Sequence, residues 1–189
     1  AAIQGVMDEV TFPTMAGLVW DKGFFAINST SVSARQIADG VMIVALARGF
    51  FASGVYLAIL VAFGAVPLSS VLGLLASSML AAWGWASIML AVTVRLERDE
   101  GYFAIIARFV VAPMFLFSGT FYPLEQMPIF LQPIGWISPL WHATELGRNL
   151  SYGMPVEPVM LWVHIGYLAI MGVVGMALVY PKLAERLSK

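Results

Sequence analysis

Four long apolar segments, roughly 41–65, 71–94, 102–122 and 159–180, decide what this chain can fold into. A helix needs ~20 mostly apolar residues to cross a bilayer, and each segment meets that length. Of 189 residues, 60% are hydrophobic and 11% charged, less than half of the about 25% charged residues in a soluble domain. That shortfall excludes a disordered segment, a nucleic-acid binder with a basic surface and an ordinary cytosolic enzyme. The chain has no Cys, which removes a disulfide framework, a thiolate metal site and a Cys nucleophile. Two histidines, His142 and His164, leave little for a metal cluster, and no metal site is assigned. The sequence reads as an all-α integral membrane protein.

A fifth apolar stretch, 127–141, is too short to span and contains Pro128, Pro133 and Pro139. Prolines at that density prevent a continuous helix. Broken backbone at membrane depth survives only where protein or a wet cavity surrounds it. Residues 123–148 are therefore expected to form a re-entrant helical hairpin that dips in and returns to the same side. Positive charge, which is retained in cytoplasmic loops, sets the orientation. Lys22, Arg35 and Arg48 precede or enter the first full span, and Arg95, Arg98 and Arg108 surround the second junction. Lys182, Arg186 and Lys189 follow the last span, and only Arg148 stands on the opposite side. Segments 8–40, 95–101 and 181–189 are thus expected in the cytoplasm, with 66–70 and 123–158 outside.

The chain opens on seven weakly apolar residues before Asp8-Glu9. With no basic region and no apolar core, these do not form a signal peptide. Residues 1–10 read instead as the inner end of a span whose earlier part is missing. The segment 11–40 then carries Trp20, Phe24, Phe25 and Ile27 in an expected loop beside Asp21 and Lys22. Such aromatics suit either a segment lying on the headgroups or a surface that docks on a partner. Ser33-Ala34-Arg35-Gln36 is a capping box that opens the helix leading into the first span.

Within the spans, Gly73, Ser77 and Ala81 recur every four residues, and Gly166, Gly172 and Gly175 thin the last span. Small residues let helices approach closely, inside one bundle or across a dimer seam. Arg48 and Arg108 each lie about two turns inside a span. At that depth, ~10 Å from the edge, they either snorkel to the cytoplasmic interface or line the inner mouth of a path for an anionic or amphipathic substrate. Tyr122, Trp136, Trp141, Tyr152 and Trp162 suit an outer aromatic belt. His142, Glu145 and Arg148 share one helical face, as an acid–base site or as a hydrogen-bonded face that steadies the hairpin. The chain lacks a phosphate loop, His-Glu-x-x-His and Gly-x-Ser-x-Gly. Ser118-Gly119 matches half of an intramembrane serine-protease motif without a convincing base. A hydrolase using Ser118 with His142 or His164, and a non-transporting membrane scaffold, stand as alternatives.

One run of residues adds a family. Arg108-Phe-Val-Val-Ala-Pro-Met-Phe-Leu-Phe-Ser-Gly-Thr-Phe-Tyr-Pro-Leu is followed by Met127-Pro128, then Pro139-Leu140-Trp141-His142 and Arg148. It resembles the signature of ABC-2 type transporter permeases, departing only at Thr120, where that pattern favours a smaller residue. Val10-Thr11-Phe12, the 24–37 loop and Leu46-Ala47-Arg48-Gly49 look like the nodulation-factor exporter and daunorubicin-resistance permease branch. The resemblance implies the tail of a second span plus spans three to six of a six-span domain, beginning with an amphipathic interfacial helix. It implies that Trp20, Asp21, Phe24, Phe25, Arg35 and Gln36 belong to a coupling helix seated on a separate ATP-binding subunit. Pro123, Pro128, Pro139, His142, Glu145 and Arg148 would mark the extracellular hairpin. Two permease chains, as a homodimer, and two ATP-binding subunits carrying ATP and Mg would form an exporter in the bacterial plasma (inner) membrane. The permease would bind no cofactor and be no enzyme itself, with an amphipathic drug, lipid or glycolipid as substrate and a lipid-linked polysaccharide or lipo-oligosaccharide as the alternative.

Overall fold

The computed structural model describes residues 2–98, 101–121 and 123–188, without the side chain of Tyr152. Tyr122 and Tyr152 of the expected belt, Asp99 and Glu100 of the 95–101 loop, and both chain ends, Ala1 and Lys189, fall outside the described residues or side chains. What is described is helical, and it contains no strand.

Helix α1 (Ala2–Met15) buries Ile3, Val6, Met7, Val10 and Thr14, spaced three and four apart on one stripe. It runs past the polar pair Asp8-Glu9 and continues through a π-helical turn, Ala16–Trp20. The first helix thus reaches ten residues beyond the expected end at 10. The reason is local. The two acids lie off the buried stripe, Glu9 finds Arg48, and the Thr11 hydroxyl donates back to the Met7 carbonyl at 2.8 Å.

Lys22 adopts a left-handed conformation (φ 56°) and reverses the chain into the short helix α2 (Gly23–Asn28). The expected loop around Phe24 and Phe25 is therefore helical. Helix α3 (Ala34–Ala62) starts on the capping box: the Ser33 hydroxyl accepts from the Gln36 N–H at 3.3 Å, and Gln36 Oε1 accepts from the Ser33 N–H at 2.8 Å. Helix α4 (Val71–Thr93) packs against α1, α3, α8 (Pro139–Tyr152) and α9 (Pro158–Leu187) and forms the centre of the molecule.

Three helical stretches, Ala34–Ala62, Leu68–Thr93 and Pro158–Leu187, are long and apolar enough to cross a membrane. The remaining expected span, 102–122, is a shorter helical run, Tyr102–Phe117. It comprises α5 (Tyr102–Ile106), a π-helical turn (Ala107–Val111) and α6 (Ala112–Phe117). It stops early because Gly119 turns left-handed (φ 68°). A 3-10 turn (Leu124–Gln126) and α7 (Gln132–Ile137) then lead into α8. The last helix passes through Pro181 to Leu187, so most of the expected 181–189 tail is helix. There Arg186 donates to the carbonyls of Val94 at 3.0 Å and Leu96 at 2.5 Å, satisfying orphan acceptors just beyond α4.

Outward-facing positions such as Phe51, Phe63, Phe109 and Trp162 are large, apolar and exposed. In water such a surface would drive association; in a bilayer it faces lipid.

Candidate functional site

Three regions collect the residues that the sequence singles out. The first is the tip between α1 and α3. Gly17 lies on the π-helical turn, and a Cβ there would meet three atoms of the Phe24 ring at 2.7 Å. Only glycine lets that ring pack so closely. This braces α2 against the end of the first helix, with Phe24 and Phe25 half-buried and Trp20 52% exposed. Asp21 is exposed beside it. The other two residues of the expected coupling set point elsewhere. The Gln36 side chain is engaged in the capping box, and the Arg35 guanidinium lies over the Tyr180 ring of α9 at 4.8 Å.

The second region holds the two arginines inside the spans. Arg48 Nη1 donates to Glu9 Oε2 at 2.6 Å. Arg108 is exposed on the π-helical turn of the 102–117 run. The structure therefore joins Arg48 to α1 rather than to Arg108.

The third region is the broken hairpin. Pro123 precedes the 3-10 turn, and Pro139 occupies the first position of α8, where its missing N–H costs nothing. The Ser138 hydroxyl caps that helix by accepting from the Leu140 N–H at 3.2 Å. It also lies 2.5 Å from the Ser118 hydroxyl, tying the end of the 102–117 run to the hairpin. Arg148 donates to Glu145 at 2.8 Å and also to the Gly119 carbonyl. His142, nominally on the same face, turns away from that pair. Its Nε2–H donates to the Trp136 carbonyl at 3.1 Å, and its Nδ1 lies 2.8 Å from His164 Nδ1. With neutral rings, His142 Nδ1 is then the acceptor and His164 the donor. Tyr167 stacks on His142 with ring centroids 4.0 Å apart, and its hydroxyl donates to the Ile137 carbonyl. Trp141 meets both imidazoles in T-shaped contacts, with ring centroids 4.9 Å apart in each.

This arrangement does not fit a serine hydrolase. The described bonds of Ser118 go to Met114 and Ser138, while the imidazoles bond each other. Among the described residues, no group of three or more His, Cys, Asp or Glu could hold a metal ion. The imidazole pair, with its Tyr167 neighbour, is what sequence reasoning missed. Both histidines are visible in the sequence, but nothing in a separation of 22 positions announces that α8 and α9 bring them together.

Residues 26–152 match the family described as ABC-2 type transporter. The chain belongs to that family. The match begins within α2 and ends with α8, so it takes in part of the tip, the central helices and the hairpin. Nodulation protein J of Rhizobium leguminosarum bv. viciae is 34% identical over 105 residues, 56% of this chain and 39% of that protein. Nodulation protein J of Rhizobium meliloti (strain 1021) is 28% identical over 179 residues, 95% of this chain and 67% of that protein. A third protein of that name, from Sinorhizobium fredii (strain NBRC 101917 / NGR234), is 28% identical over 158 residues, 84% of this chain and 59% of its own length. The first of these matches thus spans well under half of the relative. No solved structure matches the chain. The ABC-2 chain is accordingly a multi-pass membrane protein of permease type.

Proposed function

We propose that this chain forms membrane-spanning helices of the permease subunit of an ATP-driven exporter, with ATP and Mg held by a separate ATP-binding subunit. The observation that carries the reading is the tip at 20–28. Trp20 and Asp21 are exposed there, on a helix end stiffened by the Phe24 ring against Gly17. A short, braced element that presents an aromatic side chain is well suited to fill a pocket on a soluble partner, where Trp residues often dominate binding. Two permease chains and two ATP-binding subunits make the working unit. Closure of the ATP-binding pair moves the tips and, through α1 and α3, shifts the spans between inward- and outward-facing states.

The chain lies in the bacterial plasma (inner) membrane, with the tip at 20–28 and segments 95–101 and 181–189 cytoplasmic and the hairpin outside. The distribution of Lys and Arg supports that orientation. Because Glu9 neutralises Arg48, the positive inner mouth falls to Arg108. The substrate is amphipathic: a drug, a lipid or a glycolipid, with lipid-linked saccharides included.

The test is gentle purification from the native host, identification of co-purifying proteins by mass spectrometry, and an ATPase assay on the same sample. A stoichiometric ATP-binding subunit with hydrolysis is the expected result. Recovery of the chain alone and inactive, under conditions that preserve other transporters, overturns the reading.

A further inference from the structure

A groove of about 600 Å³ opens between α3, α4 and α9. Its floor is Met42, Trp83 and Met176, and its outer walls are Ile43, Val173 and Ala177. The walls are apolar, and polar groups gather only at the end nearest Arg35. There the Tyr180 hydroxyl donates to Asp39 Oδ1 at 2.7 Å. Arg35 lies over the Tyr180 ring, and its Nε is 4.0 Å from Asp39 Oδ2, with the Arg35 side chain 73% exposed. Asp39 thus makes its close bond to Tyr180. Arg35, which has five N–H donors, is held by one long ion pair and a ring face, and its guanidinium remains available to a further acceptor.

We propose that this groove holds one acyl chain of an anionic phospholipid, with its phosphate on Arg35. The dimensions and charge agree. Arg35 lies six positions before the 41–65 segment, about 9 Å along a helix, which puts it at headgroup depth when the groove faces the acyl chains. The cytoplasmic leaflet carries the anionic lipid, and each basic residue near that surface contributes ~1 kcal/mol to its attraction. The site lies on the outer side of the α3–α4–α9 packing, apart from the tip and the hairpin. It depends on the proposed orientation only for which leaflet supplies the lipid.

The groove contains its own reporter, Trp83. The full permease with its ATP-binding partner is placed in nanodiscs of phosphatidylethanolamine and phosphatidylglycerol, one of the two brominated on its acyl chains. Quenching that depends on Trp83 is read as the difference between the wild type and Trp83→Phe. Brominated phosphatidylglycerol is expected to reach half-maximal quenching at about fivefold lower fraction than brominated phosphatidylethanolamine, the ratio that ~1 kcal/mol produces. Arg35→Gln, an exposed change, should bring the two lipids to parity, and Ala177→Trp should fill the groove and abolish the Trp83-dependent quenching by both. Equal half-quenching fractions in the wild type overturn the proposal, as does a preference that survives Arg35→Gln. Undiminished Trp83-dependent quenching in Ala177→Trp, read against the same variant with Trp83→Phe, shows that the quenching does not come from a chain in the groove and also overturns it. Discs present both leaflets alike, so these failures leave the permease reading standing.

Discussion

The Arg48 guanidinium on α3 lies 2.6 Å from the Glu9 carboxylate on α1, across 39 positions of sequence. Both groups sit in helices whose neighbouring faces are apolar. An unpaired charge at such a position is costly within a bilayer. Glu9→Gln should therefore destabilise the bundle by leaving Arg48 uncompensated, and Arg48→Gln should do the same in reverse. The double variant is expected to be less damaged than the two single losses combined. The coupling should be roughly 0.6–1.7 kcal/mol, as measured for polar pairs between membrane helices. Thermal unfolding of the four proteins in detergent reads that coupling directly. Strict additivity would mean that Arg48 reaches the interface and gains nothing from Glu9.

The imidazole pair links α8 to α9. His164→Ala removes the group that bonds His142 Nδ1 and leaves a buried acceptor without a partner, at a cost of about 1–3 kcal/mol. Amide hydrogen exchange should rise in 136–146, where the Trp136 and Ile137 carbonyls are bonded by the same aromatic cluster. His142→Ala combined with His164→Ala should raise exchange further, since it also frees the Trp136 carbonyl and removes the ring on which Tyr167 stacks. A hairpin whose exchange is unaltered in His164→Ala would show that the Arg148 bonds to Glu145 and Gly119 hold it unaided.

The three glycines of the last span look alike in sequence and differ sharply in the fold. A Cβ at Gly175 would lie 2.4 Å from Ser87 Oγ and 2.6 Å from the Ser87 backbone carbon. At Gly172 it would meet the Trp83 ring at 2.4 Å, and at Gly166 it would meet nothing within 4 Å. Gly175→Ala is thus expected to push α9 off α4 and cost about 1–3 kcal/mol by overpacking. Gly166→Ala should leave the melting temperature nearly unchanged. Equal shifts for the two variants would refute the close α4–α9 contact.

That contrast defines what could be read from the chain. Apolar length alone gave the helical membrane class, and Ser33 with Gln36 gave the start of α3 to the residue. The prolines gave the broken path through 123–148. Each of these signals is local. What remained hidden depends on which helix faces which. The Glu9–Arg48 pair, the His142–His164 bond and the Tyr180–Asp39 bond all join residues distant in sequence. Hydropathy predicts a span over 102–122 because it does not register the left-handed turn at Gly119, and the helical run ends at Phe117. The stripe at 73, 77 and 81 suits bundle packing first and a dimer seam second. At its first member, a Cβ on Gly73 would touch the Leu150 side chain at 3.0 Å, so that position packs against α8 of the same chain.

The tip offers the most direct functional test, because its brace and its exposed face can be changed separately. Trp20 is half-exposed at the end of the π-helical turn, so Trp20→Ala should leave the bundle folded. If Trp20 seats in the ATP-binding subunit, the variant should bind that subunit about thirtyfold more weakly, the loss that corresponds to ~2 kcal/mol at a Trp-centred contact. Gly17→Leu acts from behind by occupying the space of the Phe24 ring and displacing α2. It should uncouple ATP hydrolysis from export, as should Phe24→Asp, which replaces the braced ring with a charge. Binding of the ATP-binding subunit is measured by titration in nanodiscs, and coupling by the ratio of substrate moved to ATP hydrolysed. Wild-type affinity in Trp20→Ala together with a wild-type ratio in Gly17→Leu would move the contact away from 20–28, to the remainder of 8–40 or to 95–101.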